Sequence, residues 1–290
     1  MSPAVTVGLS GGLGNQMFQY AAGRSLSLRL GAPLVLDSTW FLGRKNRVYG
    51  LGNFLIQANV RSSDLPGPDL LKSLESRLSR KWGRTRMGAE IFREPHFEFS
   101  PEFLELKSPV YLEGYWQSER YFDSCREVIA ADFALRGELP RACLDILDEI
   151  RATDAIGIHI RRGDYVSDPA TTRVHELCPP EYYVRGLALA ASGLARPHGF
   201  VFSDDPAWAR ANFSATIPTT FVDVNPPGDA HADLHLMAAC RNFVIANSSL
   251  SWWAAWLGGS PDKRVVAPQN WFKPPGKNTA DLIPAGWARI

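Results

Sequence analysis

Three stretches of this chain carry residue types that could do chemistry. The first is His159-Ile160-Arg161-Arg162-Gly163-Asp164-Tyr165. Ile156 to Ile160 reads as a buried strand whose C-terminal end delivers two arginines, a glycine and an aspartate. Adjacent side chains in extended chain point to opposite faces, so one arginine enters a ligand crevice while the other braces a neighbouring element. A guanidinium is planar and permanently charged, which suits bidentate recognition of phosphate oxygens. The plainer alternative is an arginine–aspartate pair closing a strand-to-loop turn. The second stretch is Phe202-Ser203-Asp204-Asp205. Asp205 before Pro206 makes a good helix cap, which leaves Asp204 to face a guanine edge or a ribose. The third is Ala246-Asn247-Ser248-Ser249-Leu250-Ser251-Trp252-Trp253, a strand running into a helix start crowded with hydroxyls. Free N–H groups and the positive end of the helix dipole attract phosphate there, and simple serine capping over buried tryptophans is compatible with it.

Other motifs are weaker. Gly12-x-Gly14 lacks the third glycine of the dinucleotide fingerprint, although Asp37 stands at about the spacing of a ribose-binding acid. Asn15 and Gln16, at the start of the following helix, offer amides to a sugar or a phosphate. His231 and His235 sit one helical turn apart, but Ala232 stands where the metalloprotease motif needs glutamate, so structural histidines are expected and no metal site. The sequence contains no Asp-x-Asp. A phosphate charge must then be met by arginine and helix N-termini. The basic segment Arg77, Arg80, Lys81, Arg84 and Arg86 around Trp82 reads as a solvated face or, less simply, as a docking patch for an anionic membrane.

These motifs must be positioned by a fold, and the bulk properties bound it. At 290 residues the chain suits two lobes. Lys+Arg 31 against Asp+Glu 30 gives near neutrality, which argues against a nucleic-acid binder. Four cysteines without a C-x-x-C suggest neither a zinc knuckle nor a disulfide framework. No secretory leader and no membrane-length apolar run is present, so a cytoplasmic protein is expected, at most peripheral at the inner face of a membrane.

Along the chain, Ala4–Leu9 reads as a strand, 17–30 as a helix ended by Gly31, and Pro33–Asp37 as a second strand, the opening of a Rossmann-like lobe. Val110–Gly114 reads as a strand, 118–135 as a helix and 140–151 as another. From 155 onward strands (155–160, 199–203, 220–224, 243–246, 264–267) alternate with helices (180–192, 206–213, 229–240, 249–257). That alternation predicts parallel strands covered by helices, with ligands at the strands' C-terminal ends. The expected fold class is α/β and GT-B-like: two Rossmann-type lobes, 1–150 and 151–290, facing a central cleft.

Five blocks together resemble a known family. Gly11-Gly12-Leu13-Gly14-Asn15-Gln16-Met17-Phe18-Gln19-Tyr20-Ala21, the 159–165 segment and Asn247-Ser248-Ser249-Leu250-Ser251-Trp252-Trp253 are similar to signatures of the α-1,2-fucosyltransferases of glycosyltransferase family 11. Gly114-Tyr115-Trp116-Gln117-Ser118-Glu119-Arg120-Tyr121-Phe122 and Phe202-Ser203-Asp204-Asp205 resemble further family blocks, all in the expected order. The resemblance implies GDP-L-fucose as donor substrate, a β-galactoside acceptor glycan (free or lipid-linked) and inversion without a required metal or other cofactor. The second lobe would bind the donor and the first the acceptor. By the same resemblance Arg161 would hold the β-phosphate, with Asp164 beside it as the nearest carboxylate. His159 and Asp204 would lie near the guanosine, Ser248 or Ser249 near the diphosphate, and Gly14, Asn15, Gln16 and Arg162 around the donor. Tyr115, Trp116 and Gln117 are expected on the acceptor side, because aromatic faces pack on sugar rings. The residues alone leave three rivals open: a dinucleotide-dependent oxidoreductase built on the glycine turn, a non-catalytic sugar-nucleotide-binding protein, and a related transferase using another GDP-sugar.

Overall fold

The computed structural model describes residues 3–44, 47–62, 85–86, 88–226, 228–273 and 277–290. The basic segment around Trp82, except Arg86, lies outside the described residues.

In the first unit the β-branched run Val5–Gly8 forms β1, buried along its length. Gly11, at φ 78°, turns the chain, and Gly12 caps the helix α1, Leu13–Leu30. This glycine turn completes within three residues, so the helix starts four residues before the expected 17. Gly31, at φ 59°, takes the left-handed conformation at the other end and donates its N–H to Leu28, as a glycine there should. β2 is Leu34–Asp37, β3 Asn59–Arg61, β4 Thr85–Arg86, β5 Ala89–Arg93 and β6 Val110–Glu113. They form one sheet in the order β3-β2-β1-β6-β5-β4, parallel except for the β4–β5 pair. The adjacent strands β1 and β6 release the 9–14 turn and the 114–118 loop from neighbouring C-terminal ends.

The second unit contains β7 (Asp154–Ile160), β8 (Pro197–Ser203), β9 (Thr219–Val222), β10 (Asn242–Val244), β11 (Val265–Ala267) and β12 (Ala288–Arg289). All pair in parallel, in the order β12-β11-β10-β7-β8-β9. The chain builds outward from β7 to β8 and β9, then returns to the other side of β7 for β10, β11 and β12. Neighbouring strands β7 and β10 are therefore the switch point of the sheet, where crossovers on opposite sides leave a crevice at the C-terminal ends. Ile156, Ile158, Ile160, Val201, Val244 and Val266 pack with Tyr182, Tyr183 and Leu187 of the helix Pro180–Ala191 into one core. Strands buried on both faces read as continuous apolar runs, which is why this half of the chain was legible.

Several expectations need correction. The units divide at 136/137, not 150/151, and residues 280–282 belong to the first. The helix Arg141–Arg151 carries Cys143, Leu147 and Ile150 buried beneath the second sheet, which assigns it to that side. The expected helix 118–135 is broken into two 3₁₀ turns, Glu119–Tyr121 and Asp123–Cys125, before the helix Arg126–Asp132. Ser118 Oγ accepts the Arg120 N–H and so offers the backbone an alternative to the helix. β11 is not the last strand; two-residue β12 follows it, too short to show a period. Two short helices, Gly163–Ser167 and Pro169–Val174, follow the arginine motif without having been anticipated.

Candidate active site

β7 runs seven residues and ends at Ile160, so the chain emerges from the switch point with Arg161 and Arg162. The two arginines part, as extended chain requires. Arg162 stacks its guanidinium over Trp208, 3.8 Å from the ring centroid, and its Nε donates to Asp205 Oδ2 at 3.3 Å. It braces the helix Pro206–Asn212. Asp205 caps the same helix as expected, its Oδ1 accepting the Trp208 N–H at 3.2 Å.

Arg161 turns the other way. Its Nη2 donates to Asp164 Oδ1 at 2.5 Å, and its Nη1 pairs with Asp204 Oδ2 at 2.7 Å. The Tyr165 ring lies 5.5 Å below the guanidinium carbon. Burial alone would lower the pKa of this arginine, but Asp204, Asp164 and Tyr165 outweigh it and hold it above the ordinary value. A guanidinium carries five N–H donors, so two carboxylates orient it without exhausting it.

Asp204 was expected to turn toward a base or a ribose. Its Oδ2 is instead paired with Arg161, and its Oδ1 accepts the Arg162 N–H at 2.8 Å. Gly163 lies beneath it, and a Cβ at that position would push the Asp204 carboxylate from its place. His159, 3% exposed, sits inside the strand end. Burial drives its pKa down to about 4, against Asp204, which favours the cation, and with Arg161, which opposes it. Its imidazole is neutral at pH 7, and its buried Nδ1 has no partner.

The parallel register pairs Val244 of β10 with Ile158 of β7, so Ala246 and Asn247 leave β10 alongside Ile160 and Arg161. Ser248 then caps the helix Ser249–Leu257 with extended backbone (φ −131°, ψ 127°) and no side-chain cap bond. Its hydroxyl and the first N–H groups of a nine-residue helix are thereby available to an anion. Trp252, Trp253 and Trp256 form the helix's buried face. Sequence reasoning missed the residues that hold this turn. Asn247, 1% exposed, donates through Nδ2 to the carbonyls of Glu176 (2.8 Å) and Trp271 (3.0 Å). Tyr165 donates its hydroxyl to the Asn247 carbonyl at 2.7 Å. Both residues stand inside the quoted motifs, but no local pattern shows that they hold the turn.

In the first unit the glycine turn and the 114–118 loop meet through neutral amides. Gln117 Nε2 donates to Asn15 Oδ1 at 2.8 Å. Gln16 is not free for a donor: its Nε2 donates to the carbonyls of Gly11 (3.2 Å) and Val48 (2.9 Å), and its Oε1 accepts the Gly50 N–H (2.9 Å). Gln19, unnoticed in the sequence, accepts the Ser10 N–H and donates to the Gly114 carbonyl. Gly14 is buried in the first turn of α1. Trp116, expected to offer its face to a sugar, is fully buried among Phe92, Phe103 and Tyr121. It also holds φ 58°, a left-handed conformation that costs a non-glycine residue roughly 1–2 kcal/mol. Glu94 sustains it by accepting the Tyr115 N–H (2.7 Å) and the Trp116 N–H (2.9 Å). Tyr115 is 39% exposed and Gln117 7%, so of the aromatic pair Tyr115 is the one that can meet a ligand.

Among the described residues, no cluster of three or more His, Cys, Asp or Glu is arranged to hold a metal ion, His231 and His235 included. No described helix is long and apolar enough to cross a membrane.

Comparison with known proteins decides the family. The model of "Glycosyl transferase family 11" matches residues 88–290, which include all three second-unit motifs. The chain belongs to glycosyltransferase family 11. This family 11 transferase is 31% identical over 293 residues to an alpha-1,2-colitosyltransferase of Escherichia coli, covering 99% of this chain and 98% of that one. It is 34% identical over 304 residues to the O-antigen biosynthesis glycosyltransferase WbnK of Escherichia coli, covering 97% and 99%. Its fold matches that of an Arabidopsis thaliana FUT1 variant solved in complex with GDP, with a TM-score of 0.54 at 13% identity, over 98% of this chain and 75% of that one. The α/β, GT-B-like class with two Rossmann-type lobes is thus the fold of this transferase.

Proposed function

We propose that this family 11 glycosyltransferase moves L-fucose from GDP-L-fucose to the 2-hydroxyl of a terminal β-galactose in a surface glycan, forming an α-1,2 linkage with inversion. One observation carries the reading: Arg161, oriented by two carboxylates, stands at the switch point beside the uncapped N-terminus of the helix Ser249–Leu257. Departure of GDP develops negative charge on the β-phosphate. Arg161, the Ser248 and Ser249 hydroxyls and the helix N–H groups would meet that charge as it forms, which is electrostatic catalysis by preorganised donors. No divalent ion is needed in this scheme. Neutral His159 lies at the guanosine side. Asp164 orients Arg161 and, through it, the phosphate. Asp204 does the same from the other side while remaining the acid nearest the nucleoside.

In the first unit, Asn15 and Gln117, with Tyr115 at the surface, are the amides and the aromatic edge that would read the hydroxyls of a sugar. In the cell we place the enzyme in the cytoplasm, at most peripheral at the membrane, where it acts on a free or lipid-linked glycan.

A second donor is favoured by one finding, the similarity to a colitosyltransferase. Colitose is fucose without its 3-hydroxyl. A site that hydrogen-bonds that hydroxyl rejects the deoxy sugar by about 10⁴ or more, whereas an apolar site discriminates by only about 10². The deciding experiment measures transfer from fucosyl and colitosyl donors to lactose, type 1 and type 2 chains and galactosyl-N-acetylgalactosamine, with and without EDTA. Faster transfer from GDP-L-fucose to a galactoside, unaltered by EDTA, is expected. Preference for the colitosyl donor, or loss of activity in EDTA, overturns the corresponding part of the proposal.

A further inference from the structure

Two turns make up the phosphate side of the proposed site, and they come from strands separated in sequence by more than eighty residues. Nothing in the parallel pairing of β7 with β10 fixes the turns once the strands have ended. The last register pair is Val244 with Ile158; β10 ends at Val244 and β7 at Ile160. A cradle whose catalytic value depends on placement within tenths of an ångström needs a tie beyond the sheet.

We infer that Tyr165 is that tie, a positioning residue that sets the distance and angle between Arg161 and the helix N-terminus at Ser248. This inference rests on the phosphate-side reading above. Tyr165 follows Arg161 by one helical turn and is 8% exposed. Its hydroxyl donates to the carbonyl of Asn247 at 2.7 Å. That carbonyl belongs to the peptide joining Asn247 to Ser248, so the bond fixes the plane from which the Ser249–Leu257 helix departs. The Asn247 side chain is itself immobilised by Glu176 and Trp271, and Cys178 donates weakly to its Oδ1. The tie therefore ends on a fixed point.

The other end is equally defined. One side of the Tyr165 ring is stacked on His175, with centroids 4.5 Å apart and planes 18° from parallel. The Arg161 guanidinium lies 5.5 Å from the ring centroid, within cation–π range. Thr172 Oγ1 donates to the Tyr165 carbonyl at 2.8 Å, which anchors the residue's backbone as well. A single side chain thus touches the charged group of one turn and the backbone of the other. Burial pushes the phenol's pKa well up from its ordinary value, so the hydroxyl keeps its proton and stays a donor.

Tyr182 provides the control. It is a second buried tyrosine of the same unit, and its hydroxyl donates to the Ile245 carbonyl at 2.6 Å, two residues before Asn247. It braces the strand, not the turn. The experiment compares Tyr165→Phe with Tyr182→Phe and wild type in melting temperature, GDP affinity by calorimetry, and kcat and donor KM for GDP-L-fucose. Tyr165→Phe should lose about tenfold in kcat with donor KM within about twofold of wild type, since the misplacement matters most when charge develops on the leaving phosphate. Tyr182→Phe should melt at least as early as Tyr165→Phe and keep its kcat within about twofold. Equal kcat for Tyr165→Phe and wild type overturns the tie. So does an equal kcat loss in both variants, or failure of Tyr165→Phe to fold, each of which makes the hydroxyl merely structural. If wild type neither binds GDP nor turns over GDP-L-fucose, the phosphate-side reading itself falls and the tie falls with it.

Discussion

At the C-terminal ends of β7, β8 and β10 stand a guanidinium, two carboxylates paired with it, and a helix N-terminus. At the ends of β1 and β6 the polar side chains are amides: Asn15 and Gln117 bond each other, Gln16 and Gln19 bond the neighbouring loops, and a carboxylate (Glu94) is held against backbone N–H groups. Both clusters occupy the C-terminal ends of adjacent parallel strands, so topology alone does not distinguish them. Chemistry does. The cluster of the second unit keeps guanidinium N–H groups of Arg161 beyond the two that its carboxylates take, which suits a phosphate. The first uses most of its polar groups internally and leaves a few neutral ones for hydroxyls.

The sharpest way to break this contrast is to remove the charge from one side and amides from the other. Arg161→Ala should slow transfer about a hundredfold, near 3 kcal/mol, and weaken GDP binding. Asn15→Ala should leave GDP affinity unchanged in the same calorimetric titration. Normal transfer by a folded Arg161→Ala protein would sink the assignment. Next in size is a stability effect confined to the first cluster. Glu94→Ala removes both acceptors that sustain the left-handed Trp116 and should cost about 3 kcal/mol in a urea titration. A loss under 1 kcal/mol would show the strain to be carried by ring packing instead.

The third test exploits His159. Its folded pKa of about 4 lies below the ordinary value of 6.5, so the unfolded chain binds the proton first as the pH drops. The neutral ring's contribution is fully present above pH 6.5 and is lost as the pH falls toward 4. From pH 6.5 to 5 the wild type should lose about 1.6 kcal/mol more than His159→Gln does. Parallel stability–pH curves for the two proteins would remove His159 as the cause. The smallest effect belongs to the sugar side: Gln117→Ala should raise acceptor KM about fivefold, near 1 kcal/mol, with donor KM unchanged. An equal rise in donor KM would erase the division of labour between the clusters.

How much of this the sequence disclosed differs between the same two regions. β7 and the arginines were legible because a doubly buried parallel strand is an uninterrupted apolar run, and because the two-residue alternation alone sends Arg161 and Arg162 to opposite sides. Trp116 was not. An aromatic at a strand end looks the same whether it faces solvent or core, and its burial depends on Phe92, Phe103 and Tyr121 together with a positive φ that no local pattern encodes. Gln16 failed for a related reason, since its partners Val48 and Gly50 come from an irregular loop over thirty residues away. The short helices 163–167 and 169–174 carry too few residues to display a helical period.

The excursion of residues 280–282 into the first unit bears on how family members could be recombined. Asp281 accepts the Phe99 N–H and the Arg120 guanidinium, both at 3.0 Å, before the chain returns to form β12. A chimera joined only at 136/137 would mate one parent's Phe99 and Arg120 with another parent's tripeptide. Exchange of whole lobes between relatives is therefore a three-junction problem, with 280–282 inherited alongside the N-terminal piece.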